Sequence, residues 1–325
     1  MQAIVCRELG PPQVLRLEDV DRPEMGPGQA RVAIRAAGIN FPDVLMVAGG
    51  YQHKPPLPFV PGMEAAGEIV EVAADVRSWR PGDKVIVRVR PGAFAEQAVA
   101  TPDQLLPMPG GYSFVQGAAF IVGNVTAYHA LVDRGRLRAG ETVLVHGASG
   151  GVGMAAVRLA KLLGAVVIAT GGSDAKLAIV KAAGADHVIN VAAGGFREQV
   201  KALTGGAGAD VIYDPVGGDV FDESLRCINW GGRLLVVGFA AGRIPEIPAN
   251  YPLLKGCAVI GLRAGEHARR DPDGGRRNIE TLLRHAEAGE LTPHVHDVLP
   301  LARAADALQM IVDRKVVGKL VLSVP

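Results

Sequence analysis

The sequence predicts an α/β fold in which a β-rich domain is followed by a six-stranded, doubly wound parallel sheet. Three observations predict it. The run Gly147-Ala148-Ser149-Gly150-Gly151-Val152-Gly153 stands between a β-branched, aliphatic stretch and a long apolar repeat at helical spacing. Beyond that run, strand-like and helix-like segments alternate. Before it, short β-rich runs are punctuated by Pro-Gly turns.

In chain order, the first 120 or so residues carry Gln29 to Ala37, Gly67 to Ala73, Lys84 to Val89 and Phe94 to Ala100 as β-rich runs. Turns at Pro27-Gly28, Pro61-Gly62, Pro81-Gly82 and Pro91-Gly92 separate them, a pattern that predicts a partly open β-barrel. From Thr142 onward the predicted strands are Thr142 to His146, Val166 to Thr170, His187 to Asn190, Asp210 to Tyr213, Arg233 to Gly238 and Cys257 to Leu262. Helical patterns fall at Val152 to Leu163, Asp174 to Ala183, Gly195 to Leu203 and Val220 to Asn229. Right-handed crossovers then place helices on both faces of a Rossmann sheet. Near the end, the apolar-periodic Leu301 to Val312 and the strand-like Val316 to Leu322 do not extend that alternation. The expected domains are therefore 1–122, 123–262, and a segment 263–325 that returns to complete the first, with a cleft between the two.

Bulk properties narrow the function. The chain has 325 residues, 49% of them hydrophobic, and 34 basic against 33 acidic side chains leave a formal charge of +1. That balance argues against nucleic acid as a partner. Cys6, Cys227 and Cys257 are odd in number and lack metal-ligand spacing, which suits buried thiols in a reducing, cytoplasmic setting. No basic-then-apolar leader and no apolar run of membrane-spanning length is seen, so neither export nor a bilayer anchor is expected.

The glycine run is read as a strand-to-helix turn that holds a dinucleotide pyrophosphate. Glycines allow the tight turn and a close approach of backbone to phosphate, and the helix N-terminus offers unpaired N–H groups and partial positive charge. Ala148, Ser149, Gly150, Gly151, Val152 and Gly153 are the expected contacts. An NAD site normally carries a carboxylate at the end of the second strand for the ribose 2′-hydroxyl. Here Gly171, Gly172 and Ser173 follow Thr170. Ser173 is read as an N-cap that leaves Asp174 in the first helical turn. Lys176, one turn on, is then available for a 2′-phosphate with Ser173 as a second donor, so NADPH is favoured over NADH, against a plainly solvated surface lysine as the alternative.

The order of parts resembles the medium-chain dehydrogenase/reductases, within them the zinc-independent NADPH:quinone oxidoreductase (zeta-crystallin-like) branch. The similarity rests on Gly38-Ile39-Asn40-Phe41-Pro42-Asp43, Pro58-Phe59-Val60-Pro61-Gly62-Met63-Glu64, the stretch from Gly140 through Lys161, Asp214-Pro215-Val216-Gly217-Gly218 and Gly318-Lys319-Leu320-Val321. It implies a GroES-like first domain. It also implies that Asn40 and Thr126 lie against the nicotinamide and its ribose, and that Val216, Gly217, Gly238 and Phe239 border the dinucleotide. Lys176 has the same role in the resemblance. Lys319 either reaches the cofactor or is a strand-edge lysine. Tyr51, in Gly49-Gly50-Tyr51, either faces the substrate as a hydrogen-bond or proton donor or is an exposed loop aromatic. Asp43 is expected to cap or orient. Arg158 stands where the branch usually has Gln, on what is expected to be the helix's surface side.

Zinc-dependent alcohol dehydrogenases of this superfamily have a Cys and a His ligand at the places of Asn40 and Met63. An amide and a thioether do not supply a catalytic zinc site, and no cysteine lies between Cys6 and Cys227. His294 and His296, the one close histidine pair, lack a third ligand nearby. No metal is therefore expected. The chemistry expected is hydride delivery from NADPH to a quinone or α,β-unsaturated carbonyl, with Asn40 and Tyr51 as the catalytic candidates. Enoyl-thioester reduction is the alternative, with Arg88, Arg90 and Arg263 as a basic entrance. A non-catalytic, NADPH-loaded structural or RNA-binding protein is the other. A homodimer is expected through the edge strand Cys257 to Leu262.

Overall fold

Residues 1–192 and 194–325 are described in the computed structural model, in which the chain divides into two units. One unit comprises Met1–Val122 with Thr292–Pro325, and the other Gly123–Leu291. The chain thus rejoins its first unit at Thr292, which corrects the expected return at residue 263. The physical reason lies in two helices not foreseen, Ala264–Arg270 and Pro272–Glu287. They are fastened inside the second unit, where His267 stacks on His129 and Asn278 donates to Asp133.

The second unit is built on a six-stranded parallel sheet. Across it run His187–Asn190, Val166–Gly171, Thr142–Val145, Ala209–Asp214, Ile228–Val236 and Ala258–Gly261, which is chain order 3-2-1-4-5-6. Every pairing is parallel, as the β-branched runs buried on both faces require. Strand order reverses between Thr142–Val145 and Ala209–Asp214, and the glycine turn follows the first of these at its carboxyl end. Observed boundaries lie close to those expected, except that the fifth strand starts earlier, at Ile228. The fourth helix is Gly218–Ser224 and stops short of Asn229, because Cys227 and Ile228 already belong to the sheet's core.

In the first unit a seven-stranded sheet contains, in order, Val295–Pro300, Lys319–Ser323, Ala30–Gly38, Glu64–Val72, Lys84–Arg88 and Leu105–Pro107, with Gln97–Ala100 paired to Ala30–Gly38. All pairings are antiparallel except that of the two C-terminal strands. Helix Ala304–Val312 buries Ala304, Ala307 and Leu308, one face at the spacing its apolar pattern predicts. Its packing joins a core that includes Ile34, Ile69, Val85, Phe94, Leu320 and Leu322, each side chain contributing about 1.5–3 kcal/mol by burial. Register sets the site: Gly38 pairs with both Glu64 and Val321, so the ends of three strands distant in sequence meet.

All three cysteines are free and buried, and none of the helices among the described residues is long and apolar enough to cross a membrane.

A buried imidazole pins the second unit's sheet to its helices. His146, fully buried just past the first strand, has Nδ1 at 2.8 Å from Thr170 Oγ1 and Nε2 at 2.8 Å from Ser224 Oγ. Ser224 donates its own proton to the Val220 carbonyl, so it accepts from His146 Nε2–H, and Nδ1 accepts from Thr170. The ring is therefore neutral, and burial pushes its pKa from 6.5 down to about 3. The unfolded chain binds a proton here below its ordinary pKa while the fold does not, so this contribution to stability is present at pH 7 and lost as pH falls from 6.5 toward 3. Between pH 7 and pH 5 the loss is about 2 kcal/mol. Chemical denaturation of the wild type and of His146→Gln at both pH values tests it: the variant, unable to titrate, should lose about 2 kcal/mol less across the interval. Equal losses would show that the imidazole is protonated in the fold.

Candidate functional site

The second unit presents its candidate cofactor residues along the carboxyl edge of the sheet. Helix Gly151–Leu162 begins where Gly150 leaves the turn in extended conformation, and Gly150 N–H closes the turn onto Gly147 O at 2.9 Å. A side chain on Gly153 would stand 2.4 Å from Gly147 O and 2.8 Å from Ala148 Cα. Only glycine lets the helix start that close to the strand it follows. The turn leads into the positive end of a 12-residue helix with no acidic residue in its first turn, a setting that favours an anion. The helix Ile121–Tyr128, which carries Thr126, passes close to the turn, since a side chain at Gly123 would stand 3.3 Å from Gly151 O.

Neighbouring strands contribute the remaining candidates. Val216 lies against Gly147. Asp214 Oδ1 accepts from the N–H groups of Val216 and Gly217 at 2.8 and 3.0 Å, which fixes the turn after the fourth strand. Ala240 and Ala241 donate to the carbonyls of Pro215 and Val216, drawing Gly238 and Phe239 beside Val216 and Gly217. At the second strand, Ser173 is the N-cap residue of helix Asp174–Ala182 and Asp174 lies in its first turn, as expected, although the Ser173 hydroxyl makes no cap bond. Asp174 Oδ1 accepts from Asn190 Nδ2 at 2.7 Å and is turned to that partner. Lys176 is half-buried, and burial lowers its pKa.

In the first unit, the register brings Asn40, Glu64 and Lys319 into one buried cluster. Lys319 Nζ donates to Ile39 O at 2.9 Å, to Asn40 Oδ1 at 2.6 Å and to Glu64 Oε1. Asn40 Nδ2 donates to the same Glu64 oxygen at 3.0 Å, and Val122 N–H binds Glu64 Oε2 at 2.9 Å. All three ammonium protons thus have internal acceptors. This corrects Lys319 from a cofactor contact to an internal member of the cluster that orients Asn40. Gly38 makes the cluster possible, because a side chain there would overlap Ala118 O at 2.0 Å and crowd Glu64 Oε1 at 2.8 Å. Asp43, wholly buried, accepts from the Asn40 backbone N–H at 2.7 Å, as the orienting reading expects. Burial pushes its carboxyl up to about 7, against the opposing pull of the Asn40 N–H and the Lys319 ammonium.

Both amide atoms of Asn40 are held by side chains, and Met63 is buried in the core. Where zinc ligands stand in zinc-dependent dehydrogenases, this chain has an amide fixed between a carboxylate and an ammonium. Tyr51 is half-buried and packs on the first unit's core, so it is not a freely exposed aromatic. Sequence reasoning noted Glu64 only as part of a motif. Its function as the acceptor for both Asn40 and Lys319 follows from pairing across 255 residues of chain, for which the local sequence carries no signal.

Other expectations meet different outcomes. Arg158 is half-buried rather than on the surface. Arg88 is half-buried and donates to Asp103 O at 2.7 Å, while Arg90 and Arg263 are exposed. His294 lies just before the strand Val295–Pro300, on which His296 is exposed.

Comparison with known proteins agrees with this architecture. Residues 26–110 match the alcohol dehydrogenase GroES-like domain, and residues 151–280 the family described as zinc-binding dehydrogenase. The quinone oxidoreductase-like protein 2 homolog of Nematostella vectensis is 42% identical over 99% of this chain and 88% of its own length. The structure of Escherichia coli quinone oxidoreductase complexed with NADPH matches all of both chains at 28% identity and a TM-score of 0.92. That of the JamJ enoyl reductase in its apo form covers 100% of this chain and 99% of its own, at 27% identity and a TM-score of 0.88. With both of its domains and its full length accounted for in this way, the chain belongs to the medium-chain dehydrogenase/reductase family, among its quinone oxidoreductase-like members.

Proposed function

We propose that this oxidoreductase is a cytoplasmic, zinc-independent NADPH-dependent reductase of quinones and α,β-unsaturated carbonyls. The observation that carries the reading is the Asn40 amide, held through both of its polar atoms by Glu64 and Lys319 at the place where a metal ligand would stand. Without a Lewis acid to polarise an alcohol, the site suits an acceptor that is already electron-poor. NADPH, when bound, supplies the hydride. The glycine turn and the first turn of helix Gly151–Leu162 hold its pyrophosphate, Ser173 and Lys176 recognise the 2′-phosphate, and Val216, Gly217, Gly238 and Phe239 border the dinucleotide with Thr126. The Lys319–Glu64 pair keeps Asn40 in one orientation, and Tyr51 donates to the acceptor oxygen where charge develops.

Enoyl-thioester reduction is the second reading, favoured by the match to the JamJ enoyl reductase.

The deciding assay follows NADPH oxidation against a panel of quinones, enals and enoyl thioesters in excess chelator. Turnover of quinones and enones with undiminished rate is expected. Chelator-sensitive turnover in a chain that stays folded by circular dichroism, or activity confined to thioesters, would overturn the reading.

Lys176→Ala should weaken NADPH binding by about 1 to 3 kcal/mol through loss of a charge-assisted hydrogen bond, leaving NADH nearly unchanged. Titration of both cofactors measures this, and equal losses would remove Lys176 from the 2′-phosphate site.

Tyr51→Phe keeps the ring packed on the core and removes only the hydroxyl. For an enone, kcat should fall on the order of tenfold to a hundredfold. Quinone turnover should change little, since the reduced ring is stabilised by aromatisation and takes its protons later from water. Equal loss for both acceptors would make the tyrosine a positioning residue.

The assembly belonging to this reading is a homodimer. Ala258–Gly261 is the last strand of the parallel sheet and pairs on one side only, with Ile228–Val236. Nearby, Trp230, Leu253 and Leu254 are 75%, 77% and 69% exposed. A two-fold partner adding its equivalent strand covers the edge and these side chains. Light scattering at micromolar concentration should give twice the mass of the chain, and a monomer would refute the pairing.

A further inference from the structure

Two imidazoles and a carboxylate converge in the second unit on residues to which the hydride chemistry assigns nothing. His129 Nδ1 lies 2.9 Å from Asp133 Oδ2, and His267 Nε2 lies 3.6 Å from the same oxygen. One donor atom from each residue falls within 4.8 Å of the other two. His129 is buried, and its ring stacks on His267 at 4.3 Å between centroids and 18° between planes, so no side chain separates the two imidazoles.

The backbone supports the constellation. His129–Arg134 is a π-helical segment that continues the helix Ile121–Tyr128, with Gly135 N–H bonded to Ala130 O at 2.7 Å. Such segments are rare and recur at functional sites. His129 and Asp133, four residues apart, project from one face of it, and His267 arrives from helix Ala264–Arg270. Asn278, on helix Pro272–Glu287, donates to Asp133 Oδ2 at 2.6 Å and holds the carboxylate as an outer partner. Burial opposes ionisation of Asp133, but hydrogen bonds from His129 and Asn278 prevail and hold its pKa below the ordinary value. Glu266, next to His267, is engaged by Arg269 and Arg270 and does not compete.

We propose that His129, Asp133 and His267 form a site for a divalent transition metal of the zinc class. Tetrahedral zinc takes imidazole nitrogen and carboxylate oxygen at about 2.0–2.2 Å, which sets its ligands roughly 3.3 Å apart. Reaching that arrangement requires the donor atoms, which lie within 4.8 Å of one another, to close on one point and the two stacked rings to turn so that both lone pairs face it. Calcium and magnesium call for oxygen-rich ligand sets and are disfavoured by two imidazoles. Three protein ligands leave the fourth position to water. The bound ion joins the π-helical segment to Ala264–Arg270 and, through Asn278, to Pro272–Glu287, so its effect is to stabilise the second unit.

The test uses the full chain, stripped with chelator and titrated with Zn2+ alone by calorimetry, with thermal unfolding measured in parallel. One Zn2+ per chain at micromolar concentration is expected, together with a raised melting temperature. His267→Ala and the isosteric Asp133→Asn should each weaken binding by tenfold or more and abolish the thermal shift. Asn278→Ala should keep the site but lower its affinity by roughly 10- to 100-fold. Circular dichroism and NADPH binding verify that the variants fold, and Asp133→Asn stands as the test if His267→Ala does not. Co2+ in place of Zn2+ should give visible d–d bands without a thiolate charge-transfer band. No uptake by the wild type, uptake unchanged in both ligand variants, or a thiolate band that places the ion on a cysteine would overturn the proposal.

Discussion

The first unit is organised around one buried ion pair, Lys319 with Glu64. Neither side chain has appreciable contact with water, so each charge is costly unless the other and further hydrogen bonds satisfy it. Satisfaction is complete for the ammonium, with Ile39 O, Asn40 Oδ1 and Glu64 as acceptors, and both carboxylate oxygens receive donors. A pair of this kind adds little stability relative to well-packed apolar residues, but removing one partner leaves an uncompensated charge in the interior. It therefore acts as a constraint on geometry. The two C-terminal strands, the strand Ala30–Gly38 and the strand Glu64–Val72 must hold the one register that brings these atoms together. Asn40 inherits its orientation from that register.

The second unit depends on close approach rather than on charge. Its sheet is continuous with the cores on its faces, and the turn after the first strand can bring the helix N-terminus near only because Gly153 has no side chain to overlap Gly147 O. His146 sets the distance between the first strand, the second strand through Thr170, and the helix bearing Ser224. A neutral imidazole suits this function, since it donates at one nitrogen and accepts at the other without burying a charge. The result is an edge of strand ends and turns held at close approach around the glycine turn.

These two kinds of constraint fit a chemistry in which the protein's work is positioning. In the proposed reductase, the Asn40 amide held between an ammonium and a carboxylate presents a fixed dipole in place of a Lewis acid. Acceptors that already carry low-lying empty orbitals need little more than orientation and a donor at the developing oxyanion.

By itself the sequence determined the elements and their order in the parallel sheet. The strands after Thr142 and the helix beginning at Gly151 were legible because β-branched runs, helical spacing and glycines act over a few residues, and the crossover rule then orders the sheet. The partly open barrel of the first unit was legible from its Pro-Gly turns in the same way. Tertiary structure alone decided the rest. Ala264–Arg270 and Pro272–Glu287 went unrecognised, and which unit they join is settled by the partners of His267 and Asn278, not by their own pattern. The same holds for Lys319, whose local sequence reads as a strand-edge lysine and whose burial depends on a carboxylate 255 residues away. Local propensity is written in neighbouring residues, whereas the pairing of charges and imidazoles across the chain exists only once the strands and helices have taken their registers.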